Sequence, residues 1–361
     1  MLYCDEGKLK EHGGNIEQLA KRLGFEHGQL IDFSSNINPF GPSEKVIAAI
    51  RQSIERVADY PEQRAESFVE AVAQMIGVKE ENVVAGNGTI ELLYLIPQVF
   101  KVKSALLVVP SFTEYELALR NAKSNIKRRV ALTSKKAVGI IKKGLKGIDI
   151  AIMGNPNNPC GYIFEKEELI RIIDENPGCL FVIDEAFIDF LRDKAAVSLV
   201  KEAANRDNLI VLRSLTKIYS IAGLRIGYMV ASSTNAKRVS EAKYPWSVNS
   251  VALAAGLSAL KDERFVNDSV SVIEEEAKRL YNEISKIKGL MAYKPSANYI
   301  MVKLENGITA AQLQKEMLKY GIVIRDCSTF IGLNDYYFRI AVKKPQQNNK
   351  MLNALKDVLS E

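Results

Sequence analysis

Five short and almost continuously apolar runs in the middle of the chain constrain the fold most. They cover residues 105–109, 148–153, 180–183, 209–212 and 226–230. Strands that are buried on both faces of a parallel sheet need this continuous apolarity. Helical patterns lie between the runs, as at residues 166–175, where four Leu and Ile alternate with charges. Repeated strand–helix–strand units predict an α/β fold with a mostly parallel central sheet.

The pattern changes after about residue 251. A long charged helical tract at 268–287 leads into strand-like segments at 298–303, 322–325 and 337–342, which indicates a smaller α+β unit. The first 45 residues are rich in Gly, Asn and Pro. We therefore predict an N-terminal arm (1–45) that joins the small domain, a large α/β domain (46–250), and a linking helix with a small C-terminal α+β domain (251–361).

Composition excludes several classes of protein. With only two His among 361 residues, a His-rich metal centre is nearly excluded, and no metal is expected. The four Cys lie far apart without a C-x-x-C pair, which favours a reducing compartment over a disulfide or zinc framework. No secretion signal and no apolar run of ~20 residues is visible, so we expect a cytoplasmic protein without membrane contact. The net charge of +6 is mild, and no nucleic-acid partner is expected.

The segment at residues 213–228 (RSLTKIYSIAGLRIGY) is the richest in chemistry. Lys217 lies among apolar neighbours, and desolvation lowers the pKa of an amine and makes it a better nucleophile. The hydroxyls of Ser214 and Thr216, with Arg225, are groups that bind a phosphate dianion. From this segment alone, a surface Lys and Arg on a strand-to-helix loop is an equally good interpretation.

Three further segments offer polar groups at element ends. Asp184 follows a buried strand, where a carboxylate is costly unless a cation such as a protonated pyridine nitrogen pairs with it. Asn158, in GNPNNPCGY, could donate to a phenolate oxygen. Gly88 and Thr89 open a helix, whose first N–H groups bind phosphate. Taken singly, a solvent-facing acid, a turn and a simple helix cap are the alternative interpretations.

Together, NPNNP, DEA, SLTK and GLRIG in this order resemble the fold type I family of pyridoxal-phosphate enzymes, in particular the aminotransferases that include histidinol-phosphate aminotransferase. The resemblance implies pyridoxal 5'-phosphate as cofactor. It implies a Schiff base at Lys217, a pairing of Asp184 with the pyridine nitrogen, and a hydrogen bond from Asn158 to the ring hydroxyl. The cofactor phosphate would be held by Gly88, Thr89, Ser214, Thr216 and Arg225.

The same resemblance extends to two aromatic residues and to the assembly. Phe112, in PSFTEY, matches the residue that stacks on the cofactor ring. Tyr60, in DYPEQ, matches a tyrosine that reaches the phosphate in the partner subunit. A homodimer with shared active sites is therefore implied.

Near the C-terminus, Arg339 matches the arginine that binds the substrate carboxylate, although an exposed ion pair is the alternative interpretation. The segments HGGN (12–15), DFSSNINP (32–39), YPWSVN (244–249) and RDCSTFIG (325–332) are more similar to the threonine-phosphate decarboxylase family of cobalamin biosynthesis. That resemblance implies a phosphorylated amino acid as substrate, with His12, Asn36, Asn158 and Arg325 as further substrate contacts.

We therefore expect a lyase that decarboxylates L-threonine O-3-phosphate to (R)-1-amino-2-propanol phosphate. An aminotransferase acting on histidinol phosphate or a related amine is the alternative. A catalytically silent binding protein is disfavoured, because a pure binding module has no need of Lys217, Asp184 and Arg225 together.

Overall fold

The computed structural model describes residues 13–360 apart from 15 and 27. Its helices are α1 (Ile16–Leu23), α2 (Glu44–Ser53), α3 (Glu66–Ile76), α4 (Gly88–Val99), α5 (Thr113–Asn121), α6 (Ser134–Gly144), α7 (Lys166–Asp174), α8 (Val200–Ala203), α9 (Ser233–Ala242), α10 (Ser250–Leu260), α11 (Glu263–Ile284), α12 (Ala310–Lys319) and α13 (Pro345–Ser360). Its strands are β1 (Ile31–Asp32), β2 (Val83–Gly86), β3 (Ser104–Val109), β4 (Asn125–Val130), β5 (Ile150–Gly154), β6 (Leu180–Asp184), β7 (Leu209–Ser214), β8 (Gly227–Val230), β9 (Leu290–Ala292), β10 (Tyr299–Leu304), β11 (Ile322–Val323), β12 (Arg325–Asp326) and β13 (Tyr337–Ala341).

A seven-stranded sheet in the order β2-β8-β7-β6-β5-β3-β4 forms the centre of the molecule. The pairings along it are parallel except at β8, which runs antiparallel to β2 and β7. All five predicted apolar runs are strands of this sheet, which confirms the mostly parallel α/β fold. Both faces are buried: Leu106 packs in one core with α6, and the next residue, Leu107, packs in another with α5.

The apolar pattern did not indicate β2 and β4. Strand β4 (NIKRRV) lies at the sheet edge and is mostly exposed. Its sequence is charged because an edge strand need not be apolar, and charges there hinder pairing with other chains.

A second, antiparallel sheet has the order β12-β13-β10-β9 and packs with α11, α12 and α13 around its own core. The segment predicted as one strand at 322–325 divides into β11, which pairs with β1, and β12, which joins the antiparallel sheet. Helix α11 begins five residues before the predicted tract. The boundaries at residues 45 and 250 stay predictions. Among residues 13–360, as far as they are described, no helix has the length and apolarity to cross a membrane.

Residues 31–38, here called the N-terminal strap, connect the two sheets. The main chain of the strap pairs with the C-terminal part of the protein: Phe33 N donates to Val323 O, and Ala341 N donates to Phe33 O, each at 2.8 Å. At its far end, Asn38 N donates to Lys217 O at 3.1 Å. The strap therefore passes over the edge of the central sheet at which the carboxyl ends of its parallel strands lie.

Candidate active site

The predicted polar residues meet at the carboxyl edge of the central sheet. Asp184 ends β6 and lies in register with Gly154, the last residue of β5. Ser214 ends β7 and pairs with Gly227 of β8. Ligands of open α/β sheets bind at this edge, because the loops that leave adjacent parallel strands converge there.

Asp184 is a buried carboxylate with two hydrogen-bond donors. Its Oδ2 accepts from the Tyr115 hydroxyl at 2.8 Å, and its Oδ1 accepts from Ala186 N at 3.0 Å. Burial raises the pKa of Asp184, and the two donors and the nearby Lys217 oppose this rise. A carboxylate in such a place favours a cationic partner, such as a protonated ring nitrogen.

Lys217 follows β7 and faces both Asp184 and two arginines. Burial lowers the pKa of the Lys217 amine to about 8, and repulsion from Arg225 and Arg339 adds to this effect. Asp184 acts in the opposite direction. The neutral, nucleophilic form of the amine is therefore accessible close to neutral pH, as the apolar context of the sequence predicted.

A cradle for an anion lies beside Lys217. Helix α4 begins at Gly88, and the preceding Asn87 makes no side-chain capping bond to its first N–H groups. Gly88 has φ +70°, and a Cβ placed on it would lie 2.5 Å from Arg225 Nη2, so the guanidinium rests against the glycine. The hydroxyls of Ser214 and Thr216 are 2.7 Å apart. Free helix N–H groups, two hydroxyls and a guanidinium suit a phosphate.

Thr89 completes this cradle from the first turn of α4. A Cβ built on Gly227 would lie 3.0 Å from Thr89 N and from its Cγ2. Only a glycine at 227 allows β8 and the start of α4 to approach this closely. The five residues predicted to hold a phosphate are thus brought together.

Two arginines lie opposite Lys217 on the antiparallel sheet. Arg325 and Arg339 are direct partners across β12 and β13, so their side chains share one face. Arg339 Nη2 donates to Ser34 O at 2.8 Å, and its Nη1 donates to Asn158 Oδ1. Arg325 Nη2 donates to Thr329 Oγ1 at 2.9 Å.

The surroundings of the Arg339 guanidinium favour the binding of an anion. Arg339 is 5 % exposed, and its Nε has no hydrogen-bond partner among the described residues. Burial lowers the pKa of Arg339 to about 10, and repulsion from Arg325 contributes. An anion bound between the two guanidinium groups would relieve both effects. The alternative of an exposed ion pair for Arg339 is therefore wrong.

The remaining predicted residues differ in their placement. Asn36 is buried, and neither polar atom of its amide has a partner among the described residues. Phe112 immediately precedes α5 and lies edge-on to Tyr115, with ring centroids 5.7 Å apart. Tyr60 is 84 % exposed, and its ring lies tilted against that of Trp246 with centroids 5.2 Å apart, so it lies on the surface of the chain. His12 lies outside the described residues.

Sequence reasoning missed Tyr115 and Ser34. Tyr115 follows Phe112 by three residues on the first turn of α5, and nothing in its local sequence indicates that its hydroxyl reaches Asp184. Ser34 acts through its main-chain oxygen, which no side-chain motif reveals. Its place in the DFSSNINP segment was the only available signal.

The assembled residues fit pyridoxal phosphate. Lys217 offers an amine of lowered pKa, Asp184 offers a buried carboxylate for the ring nitrogen, and the Gly88–Arg225 cradle suits the phosphate. Phe112 and Asn158 remain the predicted contacts of the ring.

Comparison with known proteins gives consistent matches. The family model of aminotransferase class I and II matches residues 28–355. A threonine-phosphate decarboxylase of Salmonella typhimurium is 34% identical over 97% of this chain and 96% of its own length. A bifunctional adenosylcobalamin biosynthesis protein of Leptospira interrogans is 32% identical over 97% of this chain, which spans 41% of that longer relative.

Solved structures show the same fold. The crystal structure of L-threonine-O-3-phosphate decarboxylase from Porphyromonas gingivalis has a TM-score of 0.85 and 28% identity, and the match covers 91% of this chain and 99% of that one. The histidinol-phosphate aminotransferase from Clostridium acetobutylicum also has a TM-score of 0.85, with 32% identity over 92% of this chain and 99% of that one. Backbone similarity alone therefore does not separate the two reactions.

Proposed function

This chain belongs to the aminotransferase class I and II family, and we propose that within it the protein decarboxylates L-threonine O-3-phosphate to (R)-1-amino-2-propanol phosphate, with pyridoxal 5'-phosphate as cofactor. The observation that carries the proposal is the pair Arg325 and Arg339 on one face of β12 and β13. Threonine phosphate presents a carboxylate and a phosphate a few bonds apart, and two adjacent guanidinium groups suit both. The similarity to the threonine-phosphate decarboxylase of Salmonella typhimurium supports the same substrate.

The side chains divide the work between binding and proton transfer. When bound, pyridoxal phosphate supplies an electron sink for the electron pair that departing CO2 leaves on the substrate. Asp184 would hold the ring nitrogen in its cationic form, and Arg225 with the Ser214 and Thr216 hydroxyls would bind the cofactor phosphate. Lys217 would bind the cofactor until the substrate amine takes its place, and the freed Nζ would then hold the proton that replaces the carboxylate.

Orientation decides which bond of the substrate breaks. We assign Arg339 to the carboxylate and Arg325, with Asn36 and His12, to the substrate phosphate. The carboxylate that Arg339 holds leaves as CO2, so the arginine must fix the orientation of the bond that joins this carboxylate to the rest of the substrate. Asn158 Oδ1 accepts a hydrogen bond from Arg339 Nη1. The residue predicted to contact the cofactor ring is thus bonded to the residue assigned to the substrate carboxylate.

The substrate assay separates the two reactions of this family. Purified protein with its cofactor is incubated with threonine phosphate, and released CO2 and aminopropanol phosphate are measured. The same preparation is incubated with histidinol phosphate and 2-oxoglutarate, and glutamate is measured. Glutamate formation without CO2 release would refute the decarboxylase and support the aminotransferase. As a control, a Lys217→Ala variant should lose the visible absorption band of the bound cofactor.

We further propose a homodimer in which Tyr60 contributes to the active site of the partner subunit. Tyr60, Tyr244 and Trp246 are all exposed, at 84 %, 81 % and 46 %, which is unusual for aromatic residues that lie close together on a free surface. Mixing Lys217→Ala with Tyr60→Ala subunits tests the shared site. Subunit exchange should restore activity, because one of the two sites in a mixed dimer is then intact.

We also propose the three-part organisation with boundaries at residues 45 and 250, and a cytoplasmic location. Cys160, Cys179 and Cys327 are buried free thiols, which a reducing compartment maintains. Cell fractionation tests the location, and limited proteolysis with mass spectrometry tests the boundaries.

A further inference from the structure

Asn38, at the end of the N-terminal strap, makes three hydrogen bonds to the loop that carries Lys217. Its main-chain N donates to Lys217 O at 3.1 Å, and its side-chain Nδ2 donates to Ile218 O at 2.7 Å. Its main-chain O accepts from Ser220 Oγ at 3.1 Å. Asn38 is 2 % exposed, so water does not compete for these bonds.

The first half of the loop after β7, residues 215–220, is held only weakly by its own backbone. Leu215 N donates to Ile226 O at 3.4 Å, Tyr219 N to Leu215 O at 3.4 Å, and Ser220 N to Lys217 O at 3.3 Å. These distances are at the long end for N–H···O bonds. Ser220 also has φ +55°, a backbone conformation that costs free energy in a residue with a side chain. The bond from the Asn38 amide to this loop, at 2.7 Å, is shorter than any of these three.

The other part of the strap is fixed to the substrate side of the site. Ser34 O accepts from Arg339 Nη2 at 2.8 Å, and Lys343 Nζ donates to Ser35 O at 3.4 Å. Between Ser34 and Asn38 the chain has only three residues, so its reach is short. The strap thus spans from the arginine assigned to the carboxylate to the lysine assigned to the cofactor.

We propose that Asn38 is a positioning residue, whose side-chain amide, bonded to Ile218 O, fixes the main chain next to Lys217 and, through the strap, the placement of Lys217 relative to Arg339. The inference rests on the role given to Lys217 in the proposed function. Catalytic groups have to be held within a fraction of an ångström of the productive geometry, which a loop with long internal bonds does not achieve by itself.

The test compares Asn38→Ala with Asn82→Ala. Asn82 is a matched control because it is also buried, and its Nδ2 donates to Ala231 O at 2.9 Å and to Ala204 O at 3.3 Å, away from Lys217. Both variants should lose thermal stability. In the holoenzyme, the visible band of the bound cofactor is titrated against pH, and kcat and KM are measured with threonine phosphate.

For Asn38→Ala we expect the midpoint of the titration to move up by about half a pH unit or more, because the Lys217 nitrogen joined to the cofactor gains solvent that stabilises its protonated form when the loop is loosened. We also expect kcat to fall about tenfold with KM changed by less than about threefold, since binding groups stay in place. Asn82→Ala should change neither quantity. A titration and a kcat equal to those of Asn82→Ala would overturn the inference.

Two further variants keep the result decisive. Ser220→Ala removes only the hydroxyl bond to Asn38 O and should give a smaller shift in the same direction. If Asn38→Ala does not fold, an unchanged titration in Ser220→Ala overturns the inference. If Lys217→Ala keeps the visible band, the proposed function itself fails. If Lys217→Ala loses the band while Asn38→Ala behaves as Asn82→Ala, only the positioning role fails.

Discussion

The lowered pKa of Lys217 predicts that the active site destabilises the cofactor-free protein. The ordinary pKa of a lysine is 10.5, and burial with two neighbouring arginines lowers it to about 8. A difference of about 2.5 units, at ~1.36 kcal/mol per unit, corresponds to about 3 kcal/mol. Replacing Lys217 by Met should therefore raise the free energy of unfolding by about this amount at pH 7.

The sign of the pH dependence follows from proton binding. Between pH 8 and 10.5 the unfolded chain binds a proton at Lys217 and the folded protein does not, so the stability contributed by this group rises with pH in that range. Below pH 8 the amine is charged in both states and the full cost of burying it is present. Above 10.5 it is neutral in both states and the cost is absent. The advantage of Lys217→Met should accordingly disappear as the pH rises from 8 to 10.5.

Urea unfolding of the cofactor-free protein at several pH values measures this difference. Lys217→Arg is the matched control at the same position, because the guanidinium stays charged through the range and its difference from Lys217→Met should stay constant. A difference between wild type and Lys217→Met that is equally large at pH 7 and pH 10.5 would refute the reasoning, since it would come from packing and not from charge.

Three further variants probe the other subsites. Gly88→Ala should weaken cofactor binding at least about tenfold, because a Cβ at φ +70° displaces the Arg225 guanidinium. Fluorescence titration of the cofactor-free protein with the cofactor measures its Kd. An unchanged Kd would refute the assignment of this cradle to the cofactor phosphate. Tyr115→Phe takes a donor from the buried Asp184, so kcat should fall about tenfold by steady-state assay, and a full kcat would show that the hydroxyl is dispensable. Arg339→Lys should raise KM for threonine phosphate about tenfold or more, because an ammonium group cannot bind a carboxylate through two parallel bonds; an unchanged KM would move the carboxylate elsewhere.

Sequence reasoning predicted the parts of the fold that rest on burial. The run at 180–183 is apolar because both faces of β6 are covered, and the structure has β6 at Leu180–Asp184. The same reasoning did not predict strand β4, because a strand at the edge of the sheet need not be apolar. In the site, Lys217, Asp184 and Arg225 were predicted since their motifs are local. Tyr115 was not predicted, because its contact with Asp184 joins residues 69 positions apart, and no local sequence pattern indicates such a contact.

The N-terminal strap also bears on the order in which the protein can be built. Ser34 contacts Arg339 across 305 residues of sequence, so this end of the strap meets its partner only after β13 has been synthesised. The central strands up to β8 can pair before that point, and Asn38 can already contact the Lys217 loop, whereas the Ser34 end of the strap must wait for β11 and β13. Contacts of such long range form late and slowly. A ribosome-bound chain that ends before β11 would thus present the cofactor cradle while the strap is not yet anchored at Arg339, and cofactor capture would precede the moment at which the enzyme becomes competent.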